Sequence, residues 1–149
     1  MKKIVSFIIA LNVLMSVNSI AYARNTKYLL PINVAMKSNA GQDKLNGSVQ
    51  FFFGNQSHPK ILSDFGTFMA NPKTNSFGKS DIKACNWVFL SAMKTLQARA
   101  HKLGANAVVN IVSYYNKNPM SSTNKFECHA GAFVAGVALK GDFVKIARR

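Results

Sequence analysis

The stretch from Asp81 to Leu103 repeats apolar side chains at spacings of three and four and is followed by Gly104, which predicts one long amphipathic helix in the middle of the chain. Ile82, Cys85, Phe89, Ala92, Leu96, Ala100 and Leu103 form the stripe expected to face a core. Ser80 or Asp81 supplies the N-cap, and Gly104 is the stop signal. Lys83, Lys94, Gln97 and His101 fall on the other side at ~100° per residue, but so do Trp87 and Leu90. A solvated face has no use for a Trp and a Leu. Either another segment folds over them, or they form a contact face on which Trp87 anchors a partner while Lys83 and Lys94 steer an anionic one.

After Gly104, the run from Ala105 to Tyr115 is β-branched and aromatic, and apolar on both alternations, as a strand covered on both faces should be. Asn116 to Asn124 reads as a loop, and Phe126 to Leu139 as a second strand so rich in Ala and Gly that a helix or backbone must approach it closely. The expected fold class is α+β, with one main helix packed on an antiparallel sheet and a helix-to-hairpin core over residues 81–139. Ahead of it, Pro31 can open a helical turn through Met36. Ser48 to Phe53 predicts a strand, and residues 55–80 an excursion over the surface with one short strand around Phe65 to Met69.

Two lysines, an apolar run from Ile4 to Val17 and Ala21-Tyr22-Ala23 have the layout of a secretory signal peptide over residues 1–23, leaving one domain over 24–149. The apolar run falls short of the ~20 residues needed to span a bilayer, so no transmembrane anchor is expected. Removing the leader takes two lysines and no acid from a chain of formal charge +14, so the mature chain carries +12. An excess of that size reads either as a solvated basic surface or, because it exceeds what solubility needs, as a surface for an anionic partner. Export sets nucleic acid aside as a partner in the cell, and places the chain in a periplasmic or secreted setting that permits disulfides.

Cys85 and Cys128 are the only cysteines, and geometry favours their pairing. From Cys85 to Leu103 the helix covers roughly 27 Å at ~1.5 Å per residue, and a strand returning from Ala105 covers that length in ~8 residues. It arrives near Ser113, which a hairpin loop centred on residues 120 and 121 would set opposite Cys128.

Little else carries chemistry. Gly78-Lys79-Ser80 ends like a phosphate-binding loop, but Lys73 stands where that motif needs its first Gly, so the tripeptide reads as a turn and an N-cap. Glu127 and His129 alternate onto one face of the last predicted strand, with Cys128 on the other. They are the candidate metal ligands, although a surface ion pair is the simpler reading because no third ligand is evident. Five scattered acidic residues give paired-carboxylate catalysis little material.

The segments Ala84-Cys85-Asn86-Trp87, Leu103 to Ile111, Glu127 to Gly131 and Val137 to Gly141 resemble a group of small exported bacterial proteins often mislabelled as an excinuclease ATPase subunit. With the phosphate loop failing, that resemblance implies no ATPase. More distantly, Ile82 to Leu139 is similar to the heavy-metal-binding YbjQ-type domain and to the disulfide-bearing envelope-stress sensor lipoprotein of the Rcs pathway, without the lipoprotein Cys, a second Cys pair or matching metal ligands. The expectation is an exported, non-catalytic binding or interaction module of the cell envelope, with no cofactor, taking an anionic envelope polymer or another envelope protein. A metal-binding envelope protein using His129 and Glu127 is the alternative, and a small exported hydrolase built on His101 or His129 beside a nucleophile is the third.

Overall fold

In a computed structural model describing residues 23–148, the Ser80 hydroxyl accepts a hydrogen bond from the Lys83 amide, and the helix that begins at Asp81 ends where Gly104 turns left-handed (φ 76°). Apart from Ala23, the expected leader lies outside the described residues. The elements run β1 (Thr26–Pro31), α1 (Ile32–Lys37), α2 (Asn39–Lys44), β2 (Gln50–Phe53), β3 (Ile61–Ala70), β4 (Lys73–Asn75), α3 (Asp81–Leu103), β5 (Ala107–Ser113), β6 (Lys125–Ala130), β7 (Val134–Gly136) and β8 (Leu139–Ile146).

The architecture is α+β. Helix α3 packs against two four-stranded sheets, one antiparallel in the order β1-β6-β7-β4 and one mixed in the order β2-β5-β8-β3, with β2 parallel to β5. The core is built from α3 outward: Phe89 stacks on Phe126 of β6 at 4.1 Å between ring centroids, and Val88, Met93 and Leu96 are fully buried. The Cys85–Cys128 disulfide fastens α3 to β6, with both residues fully buried and their Cα atoms 5.8 Å apart. β5 is apolar on both alternations because both of its faces are covered. Val108 and Ile111 belong to the main core, while Ala107 and Val109 join Val144 and Ile146 in a second cluster on the opposite face.

The hairpin expected between residues 105–115 and 126–139 does not form. β6 takes β1 as its antiparallel partner, setting Tyr28 rather than Ser113 opposite Cys128, while β5 pairs with β8, where Ser113 meets Leu139. The physical reason is competition: β1 supplies a second apolar edge for β6, and the small residues after Ala130 break the expected second strand into β6, β7 and the start of β8. At Gly131 a Cβ would lie 2.8 Å from the Arg24 carbonyl oxygen, the close backbone approach that the small-residue content foreshadowed. Ser113 still reaches the expected neighbourhood, since its hydroxyl accepts a 2.9 Å hydrogen bond from the Glu127 amide. β3 is also ten residues long rather than the short strand expected around Phe65 to Met69.

The face assignments on α3 need three corrections. Leu90, placed on the open contact face, is only 2% exposed, and Gln97 is buried as well, because α1 and α2 pack on α3 and widen its buried arc. The buried positions then span roughly two-thirds of the circumference at ~100° per residue. Ile82, placed on the core stripe, is exposed. It shares an angular position with buried Ala100 but lies in the first turn, beyond the layer that covers the rest of the helix.

Candidate functional site

The narrow solvent-facing strip of α3 begins with Lys83 and Trp87. Trp87 is 48% exposed, and the Lys44 ammonium, brought in by α2, sits 3.9 Å from its ring centroid in a cation–π contact. Thr74, Lys79, Lys83, Ala84 and Trp87 line a cavity of about 210 Å³ that contains no carboxylate. Lys94 lies farther along the helix, in an open groove it shares with Lys44, Arg99 and Lys102. Of the four residues expected to form a contact face, Lys83 and Trp87 come together, Lys94 extends the same basic strip, and Leu90 is removed from it by burial.

Across β4 the surface continues into a pair of rings that sequence reasoning missed. Phe77 and Phe133 are each 67% exposed and stack on one another, with centroids 5.6 Å apart and planes 12° apart. They sit on separate turns held together by backbone: the Ser76 amide donates to the Phe133 carbonyl at 2.9 Å, and the Ser76 hydroxyl donates to the Gly131 carbonyl at 3.0 Å. The signal available beforehand was a Phe set among turn formers, as in Asn75-Ser76-Phe77-Gly78, where no core position would place one. Thr74 borders both the Trp87 cavity and the shallow surface between the two Phe rings.

On the far side of Phe133 a cleft of about 460 Å³ is lined by Arg24, Asn71, Lys73, Tyr115, His129 and Phe133, among others. His129 lies flat against Tyr115, with ring centroids 3.4 Å apart. Its Nε2 is 2.6 Å from the Glu127 carboxylate and its Nδ1 is 3.2 Å from the Asn25 side-chain oxygen. Lys27 closes on the other Glu127 oxygen at 3.3 Å. Glu127 is 7% exposed, so the surface ion pair expected of these two residues is largely sunk into the protein. Both ring nitrogens thus have oxygen partners within the protein. Among the described residues no group of three His, Cys, Asp or Glu side chains comes together.

The other histidine named for catalysis, His101, does meet a hydroxyl: its Nε2 is 2.6 Å from the Ser48 oxygen. That hydroxyl also lies 2.5 Å from the Asn46 side-chain oxygen, both members are exposed, and no carboxylate reaches His101 among the described residues. The His101 ring in this pair thus has no orienting carboxylate among the described residues.

At the N-terminus of α3, Asp81 is held by a two-pronged contact from Arg24, at 2.6 and 3.1 Å, and by the Tyr28 hydroxyl at 2.7 Å. The Arg24 hydrogen bond, reinforced by that of Tyr28, lowers the Asp81 carboxyl to about 2. The same cluster raises the Tyr28 phenol, chiefly through its hydrogen bond to Asp81. Asp81 is thereby neutralised beside a surface otherwise marked by Lys79 and Lys83.

No protein-family model and no curated protein matches this chain. What the surface can bind follows from its own residues.

No helix among the described residues is long and apolar enough to cross a membrane. The buried disulfide is consistent with an oxidising compartment.

Proposed function

We propose that the protein is an exported, non-catalytic binding module of the bacterial cell envelope, periplasmic or secreted, whose basic aromatic face takes an anionic envelope partner. The observation that carries this reading is Trp87, left half-exposed on a helix that is otherwise buried over most of its circumference, among Lys44, Lys79 and Lys83. An indole in that position offers a large, rigid contact area while the surrounding ammonium groups supply the attraction. The resemblance to small exported bacterial proteins and the leader-like residues 1–23 support the envelope setting.

The test is retention of the oxidised protein on immobilised dextran sulfate, with uncharged dextran as the control. Binding should weaken steeply with salt. Trp87→Ala combined with Lys83→Gln should lower retention while leaving the thermal midpoint within a few degrees, because both side chains stand at the surface. Equal retention on the two resins, or no effect of the double variant, would remove the reading.

A further inference from the structure

We infer that the anionic partner of this face is the surface of a lipid bilayer, entered by the Phe77–Phe133 pair and held by the lysines around it. The inference rests on the proposed binding role and names its partner. Two Phe rings on adjacent turns, each 67% exposed, with Val134 beside them at 49%, form an apolar patch that water penalises and that no other described residue covers. The patch is shallow, which suits an interfacial layer that takes rings in from above better than a polymer strand that needs a groove.

Lys73 borders the rings, and Lys79 is fixed next to them by its hydrogen bond to the Asn75 carbonyl at 3.1 Å. Asp81, the nearest acid in sequence, is already occupied by Arg24. Each lysine brought to an anionic bilayer strengthens partitioning roughly fivefold, corresponding to about 1 kcal/mol per cation. Trp87, reached across Thr74, is the side chain that prefers the boundary between headgroups and acyl chains. A second copy of the chain is disfavoured on this face, since it would bring two strongly basic molecules together at their lysines.

The experiment is sedimentation with vesicles of equal parts phosphatidylglycerol and phosphatidylcholine, against vesicles of phosphatidylcholine alone. The oxidised protein should bind the anionic vesicles at least tenfold more tightly. Phe77→Ser with Phe133→Ser should lose at least tenfold of that binding and keep its circular dichroism. Phe77→Trp in a Trp87→Phe background should show a blue-shifted emission in the fraction that sediments with anionic vesicles, which reports entry of that ring directly even if the double Ser variant misfolds. Absence of binding to anionic vesicles, full binding by a folded double Ser variant, or an unshifted emission would each overturn the inference. So would a concentration-dependent dimer abolished by the same substitutions. Retention on dextran sulfate together with failure on vesicles would overturn the lipid assignment and leave the binding role standing. Failure on both would end both.

Discussion

Asp81 shows how one residue ties Arg24, and Tyr28 of β1, to the start of the main helix. Its carboxyl falls to about 2 in the folded protein from an ordinary value of 3.8, so its contribution to stability is fully present above pH 4 and is lost as pH drops through the folded value. Arg24→Ala removes the largest cause of that depression. The variant should therefore unfold at a higher pH than the parent in an acid titration followed by far-ultraviolet circular dichroism, and its deficit in stability should be widest near neutrality at low salt and narrow as the pH falls below 4. Gly131 makes a second prediction at this scale. Gly131→Ala places a methyl group 2.8 Å from a backbone oxygen, which the β1 end of the sheet can relieve only by moving, and a loss of about 1–3 kcal/mol in urea unfolding is expected. Neither feature was legible in sequence, because Arg24 and Asp81, like Gly131 and the Arg24 carbonyl, meet only through the pairing of β1 with β6.

At the scale of elements, what could be read depended on how local its cause was. The bounds of α3 follow from Ser80, Asp81 and Gly104, each acting within one turn, and the structure places the helix at those bounds. Strand partners are a choice among distant edges. Phe126 to Leu139 gave no local sign that β1 would outcompete β5, and a short six-residue strand such as Thr26–Pro31 carries too few alternations to announce itself. The Cys85–Cys128 bridge is present, but not by the expected route: Ser113 meets the Glu127 amide through its hydroxyl, and Tyr28 rather than Ser113 lies opposite Cys128, so the pairing of the two cysteines was legible and the ladder that was to carry it was not. The exposed Phe pair escaped notice because it depends on two turns meeting. Since Cys85–Cys128 spans 43 residues and joins helix to sheet, Cys85→Ser with Cys128→Ser should lower unfolding stability by about 2–4 kcal/mol. A difference under about 1 kcal/mol by denaturant titration would show that α3 holds β6 without it.

For the molecule as a whole, the imbalance of charge matters most. Four of the five acids are engaged: Asp81 by Arg24, Glu127 by Lys27 and His129, Asp142 by Thr67 and Asn110, and Asp64 by the Gly66 amide. Among the described residues most of the basic side chains lack an opposite charge within ion-pair distance, so they repel one another across a small fold. Screening should relieve this, and the thermal midpoint by calorimetry should rise by a few degrees when salt is raised from near zero to physiological strength, where the Debye length is about 8 Å. A midpoint that falls or stays flat would mean the ion pairs outweigh the repulsion.

The pairing of β1 with β6 also sets a timetable. Thr26 lies opposite Ala130, so the first strand to be synthesised waits for one made about a hundred residues later. At the usual pace of translation that is between about 5 and 20 seconds during which Tyr28, Leu29 and Leu30 have no ladder to join. Cys85 waits too, through the 43 residues before Cys128 emerges, and in that interval the only thiol it can meet belongs to another molecule. Chains that emerge together into an oxidising compartment should therefore err towards disulfide-linked dimers, and slower emergence should lengthen the window in which that error is made.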